Sequence, residues 1–336
     1  MHRNTGVVRS VLAVLAAALL FGTTGTALAL GPEGATPTSV GVMRMAIGGT
    51  GLALLAYTLA WRRTRSTHRR RSNPPTPALK AIGLMALTGV CIVLYQPLFF
   101  LGTTRNGVAL ATVVALGSAP ILAGLLEWAR TRRMPTRTWI TATGLAAAGV
   151  IVLSIGGSSG GTGEGSAAGS VAGSGNVSGD VGTDILGLVG SIGAGASFAV
   201  IANVQRVLLD LTWDPLIVVG SMGASAAVIS ITALPFVDVS WLGSPAGLVM
   251  ALWLGLATIA IAYVLFTWGL GGLTAATAAT LTLAEPLTAT VLGVVIVGER
   301  LSIVAVIGLA VITAGLIVLA WGSRTPTDPR PSTLEG

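Results

Sequence analysis

Three ionisable residues stand inside apolar runs long enough to cross a bilayer: Glu285, Arg44 and Glu127. A charge in hydrocarbon is costly unless it is paired or wetted, so each is a candidate for chemistry. Glu285 shares a helical face with Ala278, Thr282, Ala289 and Gly293, a small and partly polar strip suited to a crevice. Pro286 beside it removes a backbone donor, freeing a carbonyl at nearly the same depth and kinking the helix. Glu285 is expected either to bind a proton or the cationic part of a substrate, or to pair with a neighbouring helix. Arg44 suits two-pronged capture of a carboxylate. It could equally alternate between Glu285 and a substrate, snorkel, or hold two helices together. Glu127 lies in line with Ala111, Ala115, Ala119 and Ala123, three residues before Arg130, where a local ion pair at the membrane edge is the simpler reading.

Uncharged polar residues could line the same cavity: Tyr95 and Gln96 ahead of Pro97, Asn203 and Gln205, and Tyr263 with Trp268. Asn203 serves equally as a hydrogen-bond bridge between helices, and Tyr263 and Trp268 as an interfacial belt. Pro97, Pro120 and Pro286 are the candidate helix breaks or hinges. The single cysteine, Cys91, lies in an apolar run, and His2 and His68 lie in terminal or loop segments. No metal centre, cofactor or Cys/His pair is therefore expected. The chain also lacks metal-binding His/Glu spacing, a Gly-x-Ser-x-Gly elbow and a phosphate loop, which argues against an enzyme.

The elements that position these residues follow from composition. Apolar residues make up 53% of the 336 and charged ones 9%, against about 25% charged in a soluble domain. Windows of roughly twenty apolar residues predict ten spans, near 10–30, 37–61, 78–101, 106–129, 137–155, 184–204, 215–236, 246–270, 274–297 and 301–321. Breakers fall between them: Gly31-Pro32, Pro37, Asn73-Pro74-Pro75, Pro135, Asp214-Pro215 and Ser244-Pro245. The expected class is an all-α polytopic membrane protein.

With both termini cytoplasmic, all 19 Lys and Arg except Arg44, Arg105 and Arg300 fall in or beside cytoplasmic segments, as the positive-inside rule requires. The net charge of +7 then reports topology in a plasma membrane rather than nucleic-acid binding. The run Arg62 to Arg71 could also touch anionic lipid headgroups. A competing reading makes the N-terminus, with Arg3, Arg9, the run Val11 to Phe21 and Ala27-Leu28-Ala29, a cleavable signal peptide.

Residues 156–183 have the Gly/Ser-rich composition of a tether and divide the chain on the extracytoplasmic side. They leave a five-helix repeat at 1–155, a second at 184–322, and a Pro-rich cytoplasmic tail at 323–336. Laying Ser118-Ala119-Pro120 on Ala284-Glu285-Pro286 aligns the halves without a gap downstream. Ala148-Gly149 then falls on Ala314-Gly315 and Gly156 on Gly322; upstream, Phe100 falls on Phe266. A weaker match sets Pro37 against Pro215. Five helices per half is an odd number, so the halves enter the membrane upside down relative to each other, a recurring device of secondary transporters.

The run Ala284-Glu285-Pro286-Leu287, the sequence Gly298-Glu299-Arg300-Leu301 and Ala314-Gly315 in the final helix resemble the drug/metabolite transporter superfamily, in particular proteins with two EamA-like domains. Ser118-Ala119-Pro120 and Arg44 are similar to that pattern in the first half. Arg132-Arg133-Met134 departs from it, standing where Gly-Glu-Arg is typical. The resemblance implies export of a small metabolite or amino acid by alternating access, with proton coupling and a homodimer left open. A non-transporting scaffold or sensor is the alternative, and an integral membrane enzyme a more distant one.

Overall fold

The computed structural model describes residues 2–66, 78–158, 184–298 and 300–322. Arg69 to Arg71, His68, Asn73-Pro74-Pro75, most of the Gly/Ser-rich tether, Glu299 and the tail from 323 lie outside the described residues. Ten helices are long and apolar enough to cross a membrane, and no strand occurs among the described residues. They are α1 (His2–Ala29), α2 (Pro37–Ser66), α3 (Ala78–Asn106), α4 (Val108–Thr131), α5 (Arg137–Ser158), α6 (Ile185–Asp210), α7 (Pro215–Ala233), α8 (Pro245–Leu270), α9 and α10 (Ile303–Gly322). The ninth is split into α9a (Ala275–Leu281) and α9b (Ala284–Leu292), the latter running into a π turn at Gly293–Val297.

Their ends obey local chemistry. Asp184, Asp214, Ser244 and Thr274 each accept a backbone N–H from the first turn of the helix they open, satisfying donors that have no partner inside the helix. Pro215 and Pro245 occupy first-turn positions where the missing N–H costs nothing.

Large apolar side chains point outward: Leu79, Ile185, Val295 and Ile303 are exposed on the outside of the bundle, while buried positions are rich in alanine. Lipid is as apolar as leucine, so helix association rests on close packing of small residues. The seam between α5 and α10 illustrates this. A methyl on Gly149 would sit 2.9 Å from the Gly308 carbonyl and 2.6 Å from the Ile312 nitrogen; one on Gly315 would sit 2.8 Å from both the Ala142 carbonyl and the Ala146 nitrogen. In the repeat register Gly149 and Gly315 are counterparts, as are Ala142 and Gly308, and Ala146 and Ile312. The two contacts are therefore one contact repeated about a pseudo-two-fold axis.

The helix neighbours follow the same symmetry. The pairs α5 with α10, α2 with α7 and α4 with α9 meet across the axis, and α6 packs on α3 and α4 as α1 packs on α8 and α9. This is the arrangement expected of two inverted five-helix repeats. The first helix is integral to it: Val14, Ala17, Ala18 and Phe21 are buried in the main core, so a chain cleaved after Ala29 would lose one wall of the bundle.

Arg130, Arg206 and the turn after α8 lie at one end of the bundle, which we call the basic face; Arg105, Asp184 and Ser302 lie at the other, the tether face. At the tether face Arg105 pairs with Asp184 at 2.8 Å. The Leu186 N–H, and then Arg105, hold the Asp184 carboxyl below the usual carboxylate range.

Candidate functional site

The break in α9 is built by its own side chains. Pro286 has no N–H to offer the Thr282 carbonyl, which instead accepts the Glu285 N–H at 2.9 Å. Leu283 turns its N–H to Thr280 at 3.1 Å, and the Thr282 hydroxyl covers the Ala279 carbonyl at 2.7 Å. From α5, Trp139 and Thr143 reach the Thr280 hydroxyl at 3.1 and 2.9 Å. These bonds take up several of the backbone groups that the break would otherwise strand at membrane depth. It leaves Glu285 in the first turn of α9b, with α1 pressed so close that a methyl on Gly22 would meet the Glu285 carbonyl at 2.7 Å.

Glu285 faces a cavity of about 140 Å³ between the halves, running from mid-bundle toward the tether face. Arg44 from α2, Tyr95 and Gln96 from α3, Tyr263 from α8 and Pro286 line it with Glu285. Five of the expected site residues are therefore brought together: Glu285, Arg44, Tyr95, Gln96 and Tyr263. Tyr263 follows a π-helical stretch, Trp253–Ile261, a distortion common beside functional sites.

Arg44 donates to Thr24 Oγ1 at 3.4 Å, and no ion pair joins it to Glu285 among the described residues. The two charged groups line the same cavity without touching. No described residue hydrogen-bonds the Glu285 carboxylate, the Gln96 amide or the hydroxyls of Tyr95 and Tyr263, and Arg44 Nε and Thr112 Oγ1 are buried without partners. Buried polar groups are ordinarily satisfied, so these uncommitted donors and acceptors make the cavity the candidate site.

Sequence reasoning missed the apolar part of the wall: Phe21, Phe99, Phe100 and Phe198 also line the cavity. Phe21 meets Tyr263 edge-on at 5.3 Å, and Tyr95 stacks on Phe99 at 6.2 Å. A phenylalanine in a membrane helix reads alike whether it faces lipid, core or cavity. Thr24 was more legible, since Gly22-Thr23-Thr24-Gly25-Thr26 is a polar cluster in an otherwise apolar helix.

Other expectations are corrected. Asn203 does not line the cavity; it donates to the carbonyls of Ala123 and Ala199 at 3.0 Å each, bridging α6 to α4. Gln205 is fully buried, accepting from the Thr267 hydroxyl at 2.9 Å and facing Met222 Sδ at 3.2 Å. Trp268 is 47% exposed near the basic end of α8, where the interfacial-belt reading fits and the binding reading does not. Glu127 does not pair with Arg130. It accepts the Ala276 N–H at 2.9 Å, an orphan donor at the start of α9a, while Arg130 reaches Asp210 at 3.4 Å. As for the candidate breaks, α3 and α4 run unbroken through Pro97 and Pro120, so only Pro286 sits at a helix break. Among the described residues no cluster of His, Cys, Asp or Glu could hold a metal ion.

Known proteins resemble this chain along nearly its whole length. The EamA-like transporter family matches residues 8–155 and 185–321. An uncharacterized transporter, YwfM of Bacillus subtilis (strain 168), is 37% identical over 314 residues, covering 93% of this chain and 94% of that protein. A crystal structure sharing 19% identity has a TM-score of 0.66 over 94% of this chain and 99% of its own, and so shares the fold. Ten apolar helices, a central cavity holding a few polar groups and these two sequence matches agree: this multi-pass membrane protein belongs to the EamA-like transporter family.

Proposed function

We propose that the protein exports a small amphipathic molecule bearing an amine and a carboxylate, such as an amino acid, in exchange for protons. The observation that carries this reading is that Arg44 and Glu285 share one cavity while Arg44 bonds Thr24 and not the carboxylate. Opposite charges in hydrocarbon would be expected to collapse onto each other; held apart, they suit a ligand that brings its own opposite charges. Arg44 takes the carboxylate and Glu285 the ammonium, while the phenylalanine and tyrosine rings receive the apolar part.

Coupling follows from the carboxylate. Glu285 holds a proton or an ammonium group but not both, so protonation displaces the substrate. With the basic face cytoplasmic, substrate enters from the cytoplasm and a proton from outside releases it. The two repeats rock about the central site, with Pro286 as the hinge and Pro97 and Pro120 as further candidates for bending.

Sealed proteoliposomes loaded with a pH-sensitive dye and given radiolabelled phenylalanine, leucine or glutamate test this. Substrate movement against a proton gradient, accompanied by proton movement the other way, is expected. Flux with no proton movement would remove the coupling, and an absence of flux across all three would remove the substrate class.

A further inference from the structure

The half-helix α9a is a separable piece. The turn Gly271 to Thr274 precedes it and the break at Thr282 and Leu283 follows it. At the basic face that turn is gripped from two directions. Arg206 Nη1 of α6 donates to the carbonyls of Leu270 and Leu273 at 2.8 Å each and to Gly271 at 3.3 Å. Its Nη2 pairs with Asp210 at 2.8 Å, and Asp210 with Arg130 of α4 at 3.4 Å. Glu127 of α4 holds the other side of the turn through the Ala276 N–H. A cation thus sits on the carbonyl end of α8 and an anion on the amide end of α9a, each at the helix end it stabilises.

The grip keeps α9a seated. Ala279 packs with Ala123 and Ala199, sealing the bundle between the central cavity and the basic face. On the side facing α5, α9a borders a second cavity of about 180 Å³, lined by Thr274 and Thr277 with Thr136 just before α5 and Thr138 and Trp139 within it. On the α5 side the half-helix is thus held near its end, where Thr280 meets Trp139 and Thr143, and borders open space at its start. Among the described residues α9 carries no equivalent at the tether face: the counterpart of Glu127 in the repeat register is Gly293, at the start of the π turn.

We infer that Glu127 and Arg206 are positioning residues for transport: they clamp the turn between α8 and α9a onto α4 and α6, and release of this clamp, with α9a swinging toward α5, opens the basic face. The inference rests on the alternating-access reading above, but it concerns conformation and can be tested without any substrate. In a Cys91→Ala background, Ala279→Cys reports on the seal and Ala289→Cys on the central cavity, with a membrane-impermeant maleimide applied from each side of sealed membranes. With the clamp intact, position 289 labels from the tether face and position 279 is protected. Glu127→Gln should raise labelling of position 279 from the basic face by up to about tenfold, the effect of weakening one charge-assisted hydrogen bond; Arg206→Met, which removes the contacts to three carbonyls and to Asp210, should raise it further, and both should lower labelling of 289 in step. Arg206→Lys should restore part of the original ratio. Unchanged rates at both positions would overturn the clamp, as would a rise at both together, which is the signature of a loosened bundle. Flux measured on the same variants separates the two claims: reciprocal labelling without flux supports the clamp and removes the transport reading, and flux without reciprocal labelling does the reverse.

Discussion

In the repeat register Pro120 of α4 and Pro286 of α9 are counterparts, as are Ala119 and Glu285, yet α4 runs unbroken from Val108 to Thr131 while α9 stops at Leu281 and restarts at Ala284. A proline alone does not break the helix. What differs lies just upstream: Thr280 and Thr282 in α9 correspond to Val114 and Leu116 in α4. The Thr282 hydroxyl covers a carbonyl that the break leaves free, and Thr280 anchors the same region to Trp139 and Thr143 of α5. Proline permits the break; the hydroxyls make it affordable in a bilayer. The charge follows the same division. Ala119 is buried against α6, where Gly195 packs on the Ala119 backbone, while Glu285 faces the cavity. Symmetry builds the scaffold, and departures from symmetry build the site.

The largest effect should come from forcing the two helices to agree. Ala119→Glu puts an unpaired carboxylate into the seam between α4 and α6, and should destabilise the fold by about 3–5 kcal/mol. Thermal unfolding in detergent measures it; an unperturbed melting temperature would mean that α4 tolerates what α9 carries.

A smaller loss is expected at the other cavity charge. Arg44→Met should raise KM for carboxylate-bearing substrates about tenfold or more, the worth of a charge-assisted hydrogen bond, and leave substrates without a carboxylate little changed. A uniform change across both classes would make Arg44 a structural residue.

The smallest effect concerns the break itself. Thr282→Val makes α9 more like α4 and removes one hydrogen bond, costing about 1 kcal/mol of stability. Its effect on transport rate should exceed that on melting temperature if the break is the hinge.

Much of this was legible in the sequence, for a physical reason. Hydrocarbon excludes charge, so the ten spans and the candidacies of Glu285 and Arg44 follow from residue type, and the proline match fixed a register that the contacts of Gly149 and Gly315 obey. What was not legible depends on which helix lies alongside. Glu127 has Arg130 as its neighbour along the chain, but the bare N–H of Ala276 is its neighbour in space. Asn203 could be placed in the cavity or in a seam only once α4 was known to lie against α6. The direction of Trp268 is likewise set by the rotation of α8, which composition does not specify.

The most direct test of the account is substrate affinity as a function of pH, measured in parallel for the unaltered protein and for Glu285→Gln. If the carboxylate exchanges a proton for an ammonium group, affinity for an amine-bearing substrate falls as the pH is lowered in the unaltered protein, because the protonated carboxyl no longer holds the cation. The variant then binds about 10- to 100-fold more weakly, the loss of a charge-assisted bond, and its affinity does not change with pH. The same pH profile in both proteins would contradict the account.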